Sequence, residues 1–154
     1  MESSRVMKIG DALQNVSALG IDTSPFIYFV ERHPMYLNLV REIFKSIDTA
    51  AFVGYCSTVT LTEVLTQPKR TQNRQLENEY RDLLTHSRNL TLVSIIPEIA
   101  DTAAELRSRY RLRTPDALQI AAALESRCQA FLTNDADLQR VKELRVLVLD
   151  RLEL

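Results

Sequence analysis

The sequence predicts an α/β protein: a three-layer α/β/α sandwich around a five-stranded parallel sheet. Five short apolar runs recur along the chain, "SALGID" (17–22), "AAFVGYCS" (50–57), "LTLVSII" (90–96), "AFLT" (130–133) and "RVLVLD" (145–150). Stretches with helical periodicity separate them. Apolar strands that alternate with helices form a parallel sheet covered on both faces. At 154 residues, 45% hydrophobic and 25% charged, the chain has the size and composition of one domain with a substantial core.

Each element has a local reason. Residues 1–16 precede the first strand and read as an extension, leaving 17–154 as the domain proper. Pro25 in "SPFIYFVE" suits the first turn of a helix. Tyr36, Leu37, Val40, Ile43, Phe44 and Ile47 then repeat at helical spacing. Helices are expected at about 59–67 and 72–86, the second with Leu76, Tyr80, Leu83 and Leu84 on one face. Pro97 opens a helix carrying Ile99, Ala103, Leu106 and Tyr110. In "RTPDALQIAAAL" Thr114 suits an N-cap and Pro115 the first helical position. That helix is apolar on nearly every side, with one Gln, and its alanines let neighbouring backbones come close. A short helix from about Asp135 precedes the last strand.

Composition excludes several classes. The net charge of −1 provides no global basic field. The glycines are Gly10, Gly20 and Gly54, a placement that permits neither a Walker loop nor a dinucleotide fingerprint. Cys56 and Cys128 make no disulfide framework, so a reducing compartment, the cytoplasm, is expected. No apolar run approaches the ~18 residues of a membrane span. "MESSRVMKIG" lacks the apolar core of a signal peptide, and no membrane association is expected.

Four acids fall at strand ends or helix starts. Asp22 ends the first strand and Glu63 lies in the helix after the second. Asp116 opens the alanine-rich helix, and Asp135 follows the fourth strand in "FLTNDADL". Each also has a purely structural reading. Asp22 and Asp135 suit helix caps, Asp116 suits the positive end of a helix dipole, and Glu63 is one acid on a helix. Those readings do not explain why all four fall on one edge of the expected sheet. Sites in such sheets form at the carboxyl ends of strands where strand order reverses, which makes Asp22 and Asp135 neighbours.

Four carboxylates in one pocket repel unless a cation compensates. Mg²⁺ or Mn²⁺ suits oxygen ligands and keeps several waters, so a few carboxylates suffice. Zinc is disfavoured, because the only histidines are His33 and His86 and the two cysteines are far apart. A carboxylate-held metal activates water and neutralises charge on a phosphate ester.

Over roughly 18–150, the chain resembles the PIN domain, as in the VapC-like ribonuclease toxins of bacterial toxin–antitoxin pairs. The pieces that carry the likeness are "IDTS", "STVTLTEVL", "RTPDALQIAAAL" and "FLTNDADL", in that order. The resemblance implies that Asp22, Glu63, Asp116 and Asp135 are the catalytic metal-site acids. Asp22, Asp116 and Asp135 would position one or two Mg²⁺ or Mn²⁺ ions. Glu63 would hold a second ion or a water, or take a proton as base. Thr133 resembles the hydroxyl residue that orients a ligand or water, and Asp137 an accessory metal-site acid. Residues two apart on a helix face different ways, so Asp137 joins Asp135 at one metal only if the segment there is still loop. Leu138 stands where many relatives carry Phe, a departure that touches packing.

The resemblance further implies metal-dependent hydrolysis of single-stranded RNA to a 5′-phosphate and a 3′-hydroxyl. It also implies a homodimer and a small antitoxin that covers the acidic groove. The apolar helices near 26–44 offer a surface for such a contact. "RSRYRLRTPD" places Arg109, Arg111 and Arg113 before Asp116 as candidate RNA contacts, with Arg107 alongside and Tyr110 among them able to stack on a base. Lys69, Arg70 and Arg74 form a second basic cluster. Either group also reads as a solvated helix face. A stand-alone RNA-processing PIN nuclease and a non-catalytic PIN-fold binding module fit the same residues. An aspartyl-phosphate enzyme would use Asp22 as nucleophile, but dehalogenase-like phosphatases want a second Asp where Ser24 stands.

Overall fold

The computed structural model describes residues 5–154. Its centre is a five-stranded parallel sheet of β2 (Ala18–Ile21), β3 (Val53–Ser57), β4 (Leu90–Val93), β5 (Ala130–Thr133) and β6 (Arg145–Val148). The order is β4-β3-β2-β5-β6, so strand order reverses at β2 and the first strand of the sheet lies beside the fourth. A separate parallel pair joins β1 (Met7–Lys8) to β7 (Leu152–Glu153), outside the main sheet. A single helical turn, α1 (Ile9–Ala12), follows β1 and buries Ala12.

Helices cover both faces. The apolar residues of α2 (Thr23–Val30), α3 (Leu37–Asp48), α4 (Thr58–Arg70) and α5 (Arg74–His86) pack into one core with Leu19, Ile21, Ala130 and Leu132. Those of α6 (Pro97–Tyr110) and α7 (Thr114–Glu125) pack into the other with Ala18 and Phe131. Adjacent strand residues thus go to opposite cores, as the pleat requires.

Several boundaries differ from expectation for identifiable reasons. The run at 50–57 begins as a turn, with Ala50 at φ 65°, and becomes strand only at Val53. Pro68 does not end α4; it is buried in the last turn, where only one helical N–H is forfeited, and its carbonyl accepts from Asn73 N. Thr114 is not the N-cap of α7 but its first residue. Arg113 takes the cap position without a side-chain cap bond. After Asp135 the chain forms a 3₁₀ turn over Ala136–Arg140 in place of an α-helix.

The alanines of α7 have a specific use. A Cβ built on Gly20 in β2 would lie 2.5 Å from Ala123 Cβ and 3.0 Å from Phe131 Cδ1. Strand and helix therefore touch backbone to methyl, and nothing flexible lies between them. Gly20→Ala should overpack this contact and lower stability by about 1–3 kcal/mol. Thermal melting checks this, and an unchanged Tm would mean that α7 yields freely.

Candidate active site

The acids gather where the fold places the ends of β2 and β5. Asp22 follows β2 and caps α2, its Oδ1 accepting from Thr23 N at 2.8 Å. Its Oδ2 accepts from Thr133 Oγ1 at 2.7 Å, and that same hydroxyl accepts from Asp135 N at 3.0 Å. One buried threonine at the end of β5 thus ties together the segments leaving both strands. Asp135 in turn caps the 3₁₀ turn, its Oδ1 accepting from Asp137 N at 3.0 Å.

Asp116 lies in the first turn of α7, where the helix dipole favours negative charge. Arg113 donates to it through Nε at 2.9 Å and Nη2 at 3.4 Å. Glu63 reaches in from α4, and its Oε1 accepts from Thr23 Oγ1 at 2.5 Å. Asp22, Glu63, Asp116 and Asp135 line one cleft of about 370 Å³ with Arg113, Thr133, Asn134 and Tyr28. A larger groove of about 570 Å³ lies elsewhere, between α2, α3 and α5, but its floor is apolar and no acid cluster enters it. Chemistry therefore points to the smaller cleft.

The remaining candidates lie outside the cleft lining. Asp137 is exposed in the 3₁₀ turn, with its backbone, not its carboxylate, engaged by Asp135. Arg109 pairs with Glu105 and Glu143. Arg111 closes α6 in the left-handed conformation, at φ 54°, and its carbonyl accepts from Arg140. Tyr110 donates to Glu143 at 2.5 Å. Of the three arginines singled out in the sequence, only Arg113 reaches the acids.

Beneath the acids lies a buried polar layer of Thr23, Ser57, Thr60, Gln119 and Thr133. Gln119 Nε2 donates to Thr60 Oγ1 at 2.8 Å and Thr23 Oγ1 at 2.9 Å, and lies 3.3 Å from Asp22 Oδ1. Its Oε1 accepts from Ser57 Oγ at 2.5 Å. Sequence reasoning assigned Gln119 no role; the signal was there, as the one polar residue in an otherwise apolar helix.

Charge crowding is visible in Asp22. Burial raises its proton affinity, the bonds from Thr133 and Thr23 oppose that, and the charges of Asp116 and Glu63 raise it further. Arg113 is held more firmly charged by its bond to Asp116, with smaller help from Asp135 and Glu63. Among the described residues no three acid, histidine or cysteine side chains converge closely enough to hold an ion. Instead Glu63 and Asp116 take partners from the protein.

The PIN domain profile matches residues 20–144. The chain belongs to the PIN domain family. The PIN fold also returns in solved structures, each with a likeness confined to fold. VapBC2 from Rickettsia felis, bound to a DNA fragment from its promoter, is 15% identical, with a TM-score of 0.66 over 85% of this chain and 98% of that one. A toxin–antitoxin complex from Klebsiella pneumoniae is 23% identical, with a TM-score of 0.66 over 86% and 98%. VapC20 from Mycobacterium tuberculosis, a sarcin–ricin loop cleaving toxin, is 16% identical, with a TM-score of 0.63 over 84% and 99%. No curated protein sequence matches the chain. Among the described residues no helix is long and apolar enough to cross a membrane.

The raised proton affinity of Asp22 makes stability depend on pH in the metal-free PIN domain. A carboxyl that binds its proton more tightly when folded stabilises fully below its ordinary value of 3.8. That contribution is lost as pH rises through the raised folded value. Asp22→Asn cannot titrate, so its Tm in EDTA should rise relative to wild type as the pH increases above about 4. A difference constant across that range would remove the crowding argument.

Proposed function

We propose that this PIN domain is a metal-dependent endoribonuclease acting on single-stranded RNA, and that it is the toxin of a toxin–antitoxin pair. The observation that carries the reading is the meeting of Asp22, Glu63, Asp116 and Asp135, from four separate segments, in one cleft. The donor set fits a hard cation: the cleft offers carboxylate, hydroxyl and amide oxygens and no histidine or cysteine. Asp22, Asp116 and Asp135 would hold Mg²⁺ or Mn²⁺, with Glu63 at a second ion or a water. Asp137 has the weakest case for joining them, since only its backbone meets the site. When bound, the ion supplies charge neutralisation and an acidified water.

The side chains divide the rest of the work. Glu63 is anchored through Oε1, and among the described residues its Oε2 takes no hydrogen bond. It can therefore accept a proton from an attacking water, provided substrate and water sit within hydrogen-bond reach. Thr133 fixes the rotamer of Asp22 and the entry of the segment bearing Asp135. Arg113 offers the planar fork that suits a phosphate. Bound RNA would draw it from Asp116, leaving that carboxylate to a cation. Arg109 and Arg111 would contribute longer-range attraction at most, being engaged elsewhere.

The antitoxin reading has its own support. The larger groove has an apolar floor of Phe29, Phe44, Leu83 and Leu90 and carries Arg41, Lys45 and Arg88, the last facing Asp48 at 3.9 Å. We place an acidic amphipathic antitoxin segment there, on the helices near 26–44 that sequence reasoning favoured. The solved relatives described as toxin–antitoxin complexes support such a partner. A homodimer and a cytoplasmic location belong to the same proposal.

Purified protein should cleave single-stranded RNA with Mg²⁺ or Mn²⁺ and stop in EDTA. Asp116→Asn should lower cleavage by about 10²-fold or more, since displacement of reacting groups by an ångström has effects of that size. It should also shrink the rise in Tm produced by Mn²⁺, which reflects binding to the folded state. Undiminished cleavage in EDTA rejects the metal mechanism.

Arg113 makes a separate claim. In a cleavage-dead Asp135→Asn background, Arg113→Ala should flatten the plot of log affinity for RNA against log salt by about 0.7, the slope of one phosphate contact on a single strand. Arg109→Ala should change it less. Equal slopes in all three proteins would move the RNA path away from the cleft.

A further inference from the structure

We propose that Gln119 is a positioning residue for Glu63, acting through the hydroxyl of Thr23. The inference rests on the nuclease reading and assigns a role to a side chain that lines no part of the cleft. Counting hydrogens carries it. Gln119 is buried and its amide has two hydrogens. Three acceptors surround Nε2: Thr60 Oγ1 at 2.8 Å, Thr23 Oγ1 at 2.9 Å and Asp22 Oδ1 at 3.3 Å. Thr60 Oγ1 and Thr23 Oγ1 lie 3.0 Å apart and share one hydrogen, and the other faces the Asp22 carboxylate.

The amide cannot turn over without loss. Reversed, its oxygen would face that carboxylate and two hydroxyls. As it stands, Ser57 Oγ donates to Oε1 at 2.5 Å and fixes the orientation. Thr23 Oγ1 now accepts from Gln119, and its single hydrogen goes to Glu63 Oε1 at 2.5 Å. Thr60 Oγ1 lies 3.0 Å from Thr23 Oγ1, and with Thr23's hydrogen spent on Glu63, Thr60 is the donor of that pair. The donor directions therefore run one way, from Ser57 through Gln119 and Thr23, and end on one oxygen of Glu63.

The consequence is chemical as well as geometric. A hydroxyl with both lone pairs taken can only donate outward, so Glu63 meets a donor at Oε1 and keeps Oε2 for a cation or a water. Glu63 is exposed on α4, and its side chain makes no other hydrogen bond among the described residues. Without Gln119, the Thr23 hydroxyl is free to turn its hydrogen toward Thr60, and Glu63 loses its only anchor. Groups that orient a ligand from behind in this way typically change metal affinity or activity by about 10- to 100-fold when removed.

The test is a double-mutant cycle on Gln119→Met and Thr23→Val, with Thr23→Ser as the conservative control. RNA cleavage and the Mn²⁺-induced rise in Tm, measured without RNA, are the two readouts. Each single variant is expected to lower kcat by about 10- to 100-fold and to shrink the Mn²⁺ shift, while Thr23→Ser stays near wild type. The double variant should lose far less than the product of the two single losses, because both remove the same anchor. Multiplying losses in the double variant, or wild-type cleavage by folded Gln119→Met, would overturn the assignment. Should Gln119→Met fail to fold, Ser57→Ala replaces it in the cycle, releasing the amide without emptying its place. If wild type itself cleaves no RNA with Mn²⁺, the nuclease reading has failed on its own. The cycle on the Mn²⁺ shift then still decides whether Gln119 acts through Thr23.

Discussion

Like charges crowd the carboxyl end of β2, and the rest of the site is arranged around holding them there. Burial raises the proton affinity of Asp22, and the charges of Asp116 and Glu63 raise it further. A fold that merely brought acids together would lose them to protonation or to solvent. This one supplies neutral donors from below, Thr133 and the Thr23 backbone to Asp22 and the Thr23 hydroxyl to Glu63, and one guanidinium from the rim, Arg113 to Asp116. Neutral donors hold a carboxylate without cancelling its charge.

That arrangement requires polar groups inside an apolar sandwich. Ser57, Thr60 and Gln119 are almost wholly buried, and every buried side-chain nitrogen and oxygen among the described residues has a partner. A half-satisfied layer here would weaken the fold more than an apolar one. The layer is affordable because it is continuous: each group completes the next, from the end of β3 to the start of α2. Stability and site geometry are therefore one property of these residues.

Much of this was legible in the chain. Five apolar runs alternating with periodic segments gave the parallel sheet, and the order of four acids gave the cleft, because strand ends in such sheets have few places to go. Boundaries were less legible: tertiary packing carried α4 across Pro68, and a left-handed Ala50 shortened β3. The β1–β7 pair, formed between the two ends of the chain, has no local signature. The arginines show the limit most clearly. Arg109, Arg111 and Arg113 look equivalent in "RYRLRTPD", yet the left-handed turn at Arg111 and the acids Glu105 and Glu143 send them to different surroundings. Gln119 was conspicuous by type, but only its neighbours from β3, α2 and α4 reveal its use.

The contact between Gly20 and Ala123 has a mechanical consequence. It contains one backbone carbon and one methyl group, with no rotatable atom to absorb movement. Asp116 rides on α7 and Asp22 on the end of β2, so the contact limits how closely the helix and the strand that carry two of the acids approach. A larger residue at either position would push apart the backbones that carry the two carboxylates, and the acids with them.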